Sequence, residues 1–232
     1  MYVQHSPAVR AQHPQLVAGV VCAAGITAVA SVGPAVERYC AVAGERLATG
    51  PEGELAEIQA WRRTFARMGL KPTQYRCAAE SLLRRYRKDR CLPRIHPLID
   101  VCNAISMAFA IPVAAFDVSR ISGYLEVRHA AGDERYLTFS GEVEHPDPGE
   151  VIFADAAGSA HARRWTNRQS GHSAVHEGTT RVLIVAEAVH AGAPRDVPRL
   201  TRAVADTLAR TWSTKPVTAT LSRSAPRFDL PE

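Results

Sequence analysis

The chain of 232 residues is 46% hydrophobic and carries a formal net charge of +5, enough apolar material for one substantial core and a balance that suits an acidic partner. Its five cysteines, Cys22, Cys40, Cys77, Cys91 and Cys102, are widely spaced with no Cys-x-x-Cys pair, which argues against a disulfide scaffold or a zinc knuckle and fits the cytoplasm. The apolar run LVAGVVCAAGITAVASVG resembles a signal peptide, but it contains three glycines, only Arg10 precedes it as a basic residue, and it is no secure membrane span.

Leu16 to Cys22 reads as a buried strand, followed by a turn and a helix through ERYCAVAGERLA. TGPEGELAEIQAWRRTFARMG begins with turn residues and acids and turns basic toward Gly69, as a helix complementing its own dipole does. LKPTQYRCAAESLLRRYRKDR predicts a helix with Thr73 as N-cap, an apolar face through Tyr75, Ala78, Ala79, Leu82, Leu83 and Tyr86, and a basic face of Arg76, Arg84, Arg85 and Arg87. PLIDVCNAISMAFA predicts a buried helix opened by Pro97. From Ile111 the pattern changes to short β-prone runs, IPVAAFDVSRI, GYLEVRHA, ERYLTFS, GEVIFADAAG and RVLIVAEAV, separated by turn chemistry. VPRLTRAVADTLARTWS predicts the last helix, and residues 215–232 have little core-forming pattern and read as a flexible tail. The sum is an α+β fold: one domain over residues 1–214, with N-terminal helices packed on a mostly antiparallel sheet.

Charge is concentrated. Between Trp61 and Arg94 stand nine arginines and two lysines against only Glu80 and Asp89. That density suits phosphate contact; it equally suits a solvated helix face in a chain whose 28 basic residues are nearly all arginine. For nucleic acid, the face of Arg76, Arg84, Arg85, Arg87 and Lys88 is the candidate surface.

The other unusual stretch is RRWTNRQSGHS, Arg163 to Ser173, which is nearly free of apolar residues and reads as a polar surface or a site. Arg163, Arg164 and Arg168 around Trp165 suit pairing and stacking with a nucleotide; alternatively Trp165 is a core residue on an alternating strand whose arginines face water. Ser170 and His172 suggest a nucleophile and base, but no third group is evident to orient the imidazole. His161, His172, His176 and Glu177 are the nearest approach to a metal cluster and read better as loop residues, so no metal and no cofactor is expected. Asp100 and Asn103 share a face of an apolar helix, as a hydrogen-bonded pair or as the polar floor of a pocket.

HPLIDVCNAISMAFAIPVAAFDVSRISGYLEVRHAAGDERY, continued by VIFADAAG and GTTRVLIVAEAV, resembles the B3/B4 domain of the phenylalanyl-tRNA synthetase β subunit. With FARMGLKPTQYRCAAESLLRR upstream and the Arg-Arg-Trp-x-x-Arg-Gln segment, the chain looks closer still to freestanding B3/B4-domain proteins, over roughly Trp61 to Val189. In the synthetase this domain hydrolyses tyrosine wrongly attached to phenylalanine tRNA. The resemblance therefore implies an editing deacylase acting in trans on the aminoacylated 3′ end of tRNA, with an aminoacyl-tRNA synthetase as a further partner. Asp100, Asn103, Phe116 and Asp117 match the family pattern, whereas its histidine falls on Ala114 and its later glutamate on Gly171 or, with a small gap, on Gln169. The implied roles are Asn103, Gln169 and Ser170 at the reacting ester, and Asp100, Ala114, Phe116, Arg163, Trp165, Asn167, Arg168 and His172 around the substrate. The alternatives are a tRNA-binding module without hydrolysis and, less well supported, a metal-dependent hydrolase using the histidines.

Overall fold

The computed structural model describes residues 1–231. Two sheets face each other across an apolar core. The first contains β1 (Tyr2–His5), β4 (Tyr124–His129), β7 (Val151–Ala154), β8 (Ala160–Arg163), β9 (Arg168–Gln169) and β12 (Arg227–Asp229), in the order β12-β1-β4-β7-β8-β9. The second contains β2 (Val17–Ala24), β3 (Val113–Asp117), β10 (Arg181–Ala188) and β11 (Val217–Leu221), in the order β11-β2-β10-β3. Every strand pair in the two sheets is antiparallel except β1 with β4. A small hairpin, β5 (Tyr136–Leu137) with β6 (Val143–Glu144), stands beside β8.

Strand alternation sorts the side chains into two cores. On β10, Leu183 and Val185 point between the sheets with Val20, Cys22, Phe116, Leu125, Val127 and Phe153. Val182, Ile184 and Ala186 point the other way, onto α5 (Pro97–Phe109) and α6 (Ala193–Trp212). The helix α2 (Gly33–Ala48) packs on the far side of α5. The helices α3 (Ala56–Arg67) and α4 (Ala78–Asp89) close one end of the inter-sheet core through Trp61, Phe65, Ala79 and Leu83. The short α1 (Pro7–Gln12) starts at Ser6, whose hydroxyl accepts from the Val9 amide.

The α+β reading and the mostly antiparallel strands hold, with four local differences. The first long strand runs to Ala24 and is preceded by β1 and α1, which are too short to carry a periodic signal. Thr73 does not cap α4: Pro72–Gln74 form a turn in which the Tyr75 amide donates to the Lys71 carbonyl, and the helix begins after Cys77. Trp165 sits in a turn and not on a strand. The tail expected to be flexible supplies one edge strand to each sheet, because β11 takes the free edge of β2 and β12 that of β1, satisfying backbone groups that otherwise stand open.

At Gly19, α6 approaches β2 so closely that a Cβ would lie 2.2 Å from Thr201 Cγ2 and 2.8 Å from Val197 Cγ1. Gly19→Ala should therefore cost about 1–3 kcal/mol in urea unfolding, with the denaturant slope unchanged. His13 offers a second test. It is buried edge-on against Trp165, 4.8 Å between ring centroids, with neither ring nitrogen hydrogen-bonded. Burial, with Arg67 and His129 nearby, pushes its pKa down to about 4. The unfolded chain takes up this proton first, near pH 6.5, so stability is full above that value and falls as pH drops toward 4. Compared with wild type, His13→Leu should show a flatter decline of stability between pH 7 and 4.5; parallel declines would assign the acid sensitivity elsewhere.

Candidate functional site

The Arg163 to Ser173 stretch is built around one turn. Arg164 and Trp165 both take left-handed backbone conformations, φ 47° and 57°, which is uncommon for residues with side chains and turns successive side chains to different sides. Arg163 points inward: Nε and Nη2 donate to the two oxygens of Glu150 at 3.0 and 2.9 Å, and Nη1 donates to Glu144 at 2.7 Å. The Arg164 amide adds a bond to Glu150 at 2.8 Å. Burial alone would raise the Glu150 pKa, but these donors hold it below the usual range. Arg164 itself lies over the Tyr75 ring, 4.8 Å from its centroid. Arg168 reaches Glu144 and the Tyr136 ring.

Trp165 is fully buried. Its indole meets Trp61 edge-on at 5.0 Å, and its Nε1 donates to Glu187 Oε1 at 2.8 Å. The same oxygen accepts from His5 Nε2 at 2.7 Å. Of the two readings of this tryptophan, the core position is the one found, though in a turn and not with water-facing arginines on both sides.

A small cleft of about 50 Å³ opens beside it, where α4 begins and the two sheets part. Ala114, Trp165, Asn167, Arg168 and Gln169 line it, five of the residues singled out from sequence, together with Thr166, Ala78 and Glu187. Pro112, Val113, Phe153 and Val185 make its apolar wall. Gln169 donates through Nε2 to the Ala115 carbonyl at 2.7 Å, which fixes its amide plane. Asn167 Nδ2 donates to the Arg76 carbonyl at 2.7 Å, and the Ala78 amide donates to the Thr166 carbonyl at 2.8 Å. Cys77 stands at this junction, but burial pushes its thiol up to about 12, so it is no thiolate nucleophile.

Other expected residues lie apart. Ser170 is buried, donates to the Leu137 carbonyl and accepts the backbone amide of His172, so the imidazole is not its base. Phe116 packs on Phe153 deeper in the core, 5.5 Å between centroids. Asp100 accepts the Ile95 amide at the start of α5 and lines a different hollow with Tyr86 and Arg90. Asn103 is half-buried on α5, does not line the cleft, and makes no side-chain hydrogen bond among the described residues.

The histidines also separate. His161 bonds Ser173 at 2.8 Å and lies 3.3 Å from Asp155, whose pKa is brought down to about 2: burial would raise it, but bonds from His161 and from the Ser122 and Ser159 amides prevail. His176 instead lies 3.2 Å from Asp117. Glu57, His190 and Asp196 approach within 4.8 Å of one another, but Arg46 engages Glu57 and Arg195 engages Asp196, so their charge is already matched.

Arg76, Arg84, Arg85, Arg87 and Lys88 share one hollow on α4. Buried Glu52, which precedes α3, lies 3.8 Å from Arg84 and 3.2 Å from Arg87, and buried Glu80 lies 3.4 Å from Arg76. These carboxylates fix the face and reduce its charge. Its near end, at Arg76 and Ala78, is tied by hydrogen bonds to Asn167 and Thr166 on the rim of the cleft. Glu187 and Glu52 were missed because a lone acid in an apolar strand, or in a turn distant in sequence, carries no spacing signal.

The family profile described as the B3/4 domain matches residues 60–219. Curated relatives include the phenylalanine–tRNA ligase β subunit of Nocardia farcinica, 34% identical over 92 residues that cover 40% of this chain and 11% of that protein. That of Thiobacillus denitrificans is 39% identical over 67 residues, covering 28% and 9%. The chain thus spans about a tenth of the length of these relatives. Among solved structures, an N-terminal fragment of the phenylalanyl-tRNA synthetase β subunit from Pyrococcus horikoshii is 11% identical, with a TM-score of 0.48, over 92% of this chain and 49% of that one. The profile match takes in more than half of the sequence, and the chain belongs to the B3/4 domain family.

Proposed function

We propose that this protein is an editing deacylase that acts in trans, hydrolysing the ester between a wrongly attached amino acid and the 3′ end of tRNA. The observation that carries this reading is adjacency: Arg76, in the basic hollow at α4, accepts through its carbonyl from Asn167 on the rim of the cleft beside Trp165. An RNA strand following the arginines delivers its terminal ester to a concave site with an apolar wall and a fixed amide. The B3/4 membership and the synthetase relatives support the same substrate class.

An aminoacyl ester is already activated, so hydrolysis asks chiefly for a positioned water and donors to the developing oxyanion, helped by the vicinal ribose hydroxyl. Gln169, held through its Nε2, keeps Oε1 available to orient that water. Asn167 and Arg168 stand on the same rim. No resident metal or cofactor enters the scheme. No helix among the described residues is long and apolar enough to cross a membrane.

A tRNA-binding module without hydrolysis is the second reading. It is favoured by the prior commitments of Ser170 and of the Asn167 and Gln169 amides to backbone carbonyls. Incubation with a panel of correctly and wrongly charged tRNAs, with and without chelator, separates the two. Selective, chelator-insensitive release of one mischarged class supports the deacylase; binding without release across the panel supports the module.

Two variants locate the parts. Gln169→Ala should lower the deacylation rate about 10²-fold with tRNA affinity retained, and full activity would remove Gln169 from the reaction. Reversing charge at Arg84, Arg85 and Lys88 should weaken tRNA binding at least about tenfold and flatten its dependence on salt; unchanged affinity would place the RNA elsewhere.

A further inference from the structure

Among the described residues, Glu187 is the one carboxylate that lines the cleft, and its hydrogen bonds are one-sided. Alternation on β10 sends Glu187 between the sheets, on the same face as Leu183 and Val185, where it is 2% exposed. Oε1 accepts both Trp165 Nε1 and His5 Nε2. On the other side of His5, Nδ1 lies 3.3 Å from Arg10 Nη2. A guanidinium only donates, so Nδ1 must accept, the ring proton sits on Nε2, and His5 is neutral. The imidazole therefore orients the carboxylate without cancelling its charge. Oε2 has no hydrogen-bond partner among the described residues and is not among the fully occluded polar atoms, in a side chain that lines the cleft.

A purely structural tie does not need this arrangement. One acceptor oxygen serves Trp165 and His5 together, and a glutamine offers the same oxygen. A carboxylate whose second oxygen has no protein partner is completed by what enters the cleft, water or a cation, and a cation also matches its charge. The other charged groups around it are Arg10, on the far side of His5, and Arg168, which is turned to Glu144 and Tyr136.

We infer that Glu187 is the recognition site for the α-ammonium group of an aminoacyl ester, so that the cleft accepts substrates with a free amine and rejects N-acylated ones. This inference rests on the deacylase reading for its choice of cation. It adds the substrate class: an amino acid ester whose amine pairs with Oε2 and whose side chain meets Ala114, Val113 and Val185. Where the family pattern has a histidine, Ala114 contributes only a methyl group, so this wall suits an apolar side chain.

The test is binding, which does not depend on turnover. Alanine linked by an amide to 3′-amino-3′-deoxyadenosine cannot be released as an ester, and its N-acetyl form differs only in the charge and bulk of the amine. Titration calorimetry on the full chain should give at least about tenfold tighter binding of the free-amine compound. Glu187→Gln, which keeps the acceptor for Trp165 and His5, should abolish that preference with the melting temperature little changed. If that variant does not fold, wild type alone decides: the preference should fade as pH rises through the amine pKa, about 7.7–8 for an α-amino group. Equal affinities, no measurable binding of the free-amine compound at millimolar concentration, or a preference kept in Glu187→Gln or across that pH range overturns the inference. A free-amine preference without release from any charged tRNA upholds Glu187 and rejects the deacylase. Release that ignores N-acetylation does the reverse.

Discussion

The oxygen Oε1 of Glu187 ties the second sheet to two separate points of the first. It accepts from Trp165, in the turn after β8, and from His5, at the end of β1, while its own strand is central in the second sheet. Trp165 Nε1 and His5 Nε2 are buried polar groups that must find a partner, and both find it in this one oxygen. The left-handed pair Arg164 and Trp165 follows from that demand: the indole is delivered to Glu187, and the chain reverses within a few residues to form β9. The cleft is the space left where this turn, β3 and the start of α4 fail to close on one another.

The same turn explains how three arginines in a short stretch take up different tasks. Arg163 is consumed by Glu150 and Glu144, and its bidentate geometry makes it part of the frame. Arg164 lies flat on Tyr75, outside the cleft, and Arg168 is left at the rim beside Glu144. On α4 and just before it, Arg76, Arg84 and Arg87 are each within ion-pair distance of a buried glutamate. Counting charge along the sequence therefore overstates the field on this face, since Glu52 arrives from outside the basic segment.

The long elements were legible because burial imposes a period. The runs that became β2, β10, α5 and α6 show it, and the α+β class followed from their order. What escaped was set by partners remote in sequence: β1, β9 and β12 are too short to show a period, and the tail becomes ordered because β2 and β1 have free edges. In the cleft, the segment Arg163 to Gln169 was recognisable from its lack of apolar residues, and Ala114 from its place in the family pattern. Spacing placed Asp100 and Asn103 together on one face of α5, but could not reveal that this face turns away from the cleft. Glu187 was hidden in an otherwise apolar strand, where only the alternation of β10 and the positions of His5 and Trp165 give it meaning.

The charge in the cleft is also set from beyond the region that the family profile covers. That region begins at residue 60, yet the neutral state of His5 depends on Arg10, and both belong to the first strand and helix. The N-terminal segment therefore does more than cover an edge of the first sheet. By supplying a donor to one nitrogen of a single imidazole, it fixes the tautomer whose other nitrogen donates to Oε1, while the second oxygen of Glu187 keeps no protein partner among the described residues.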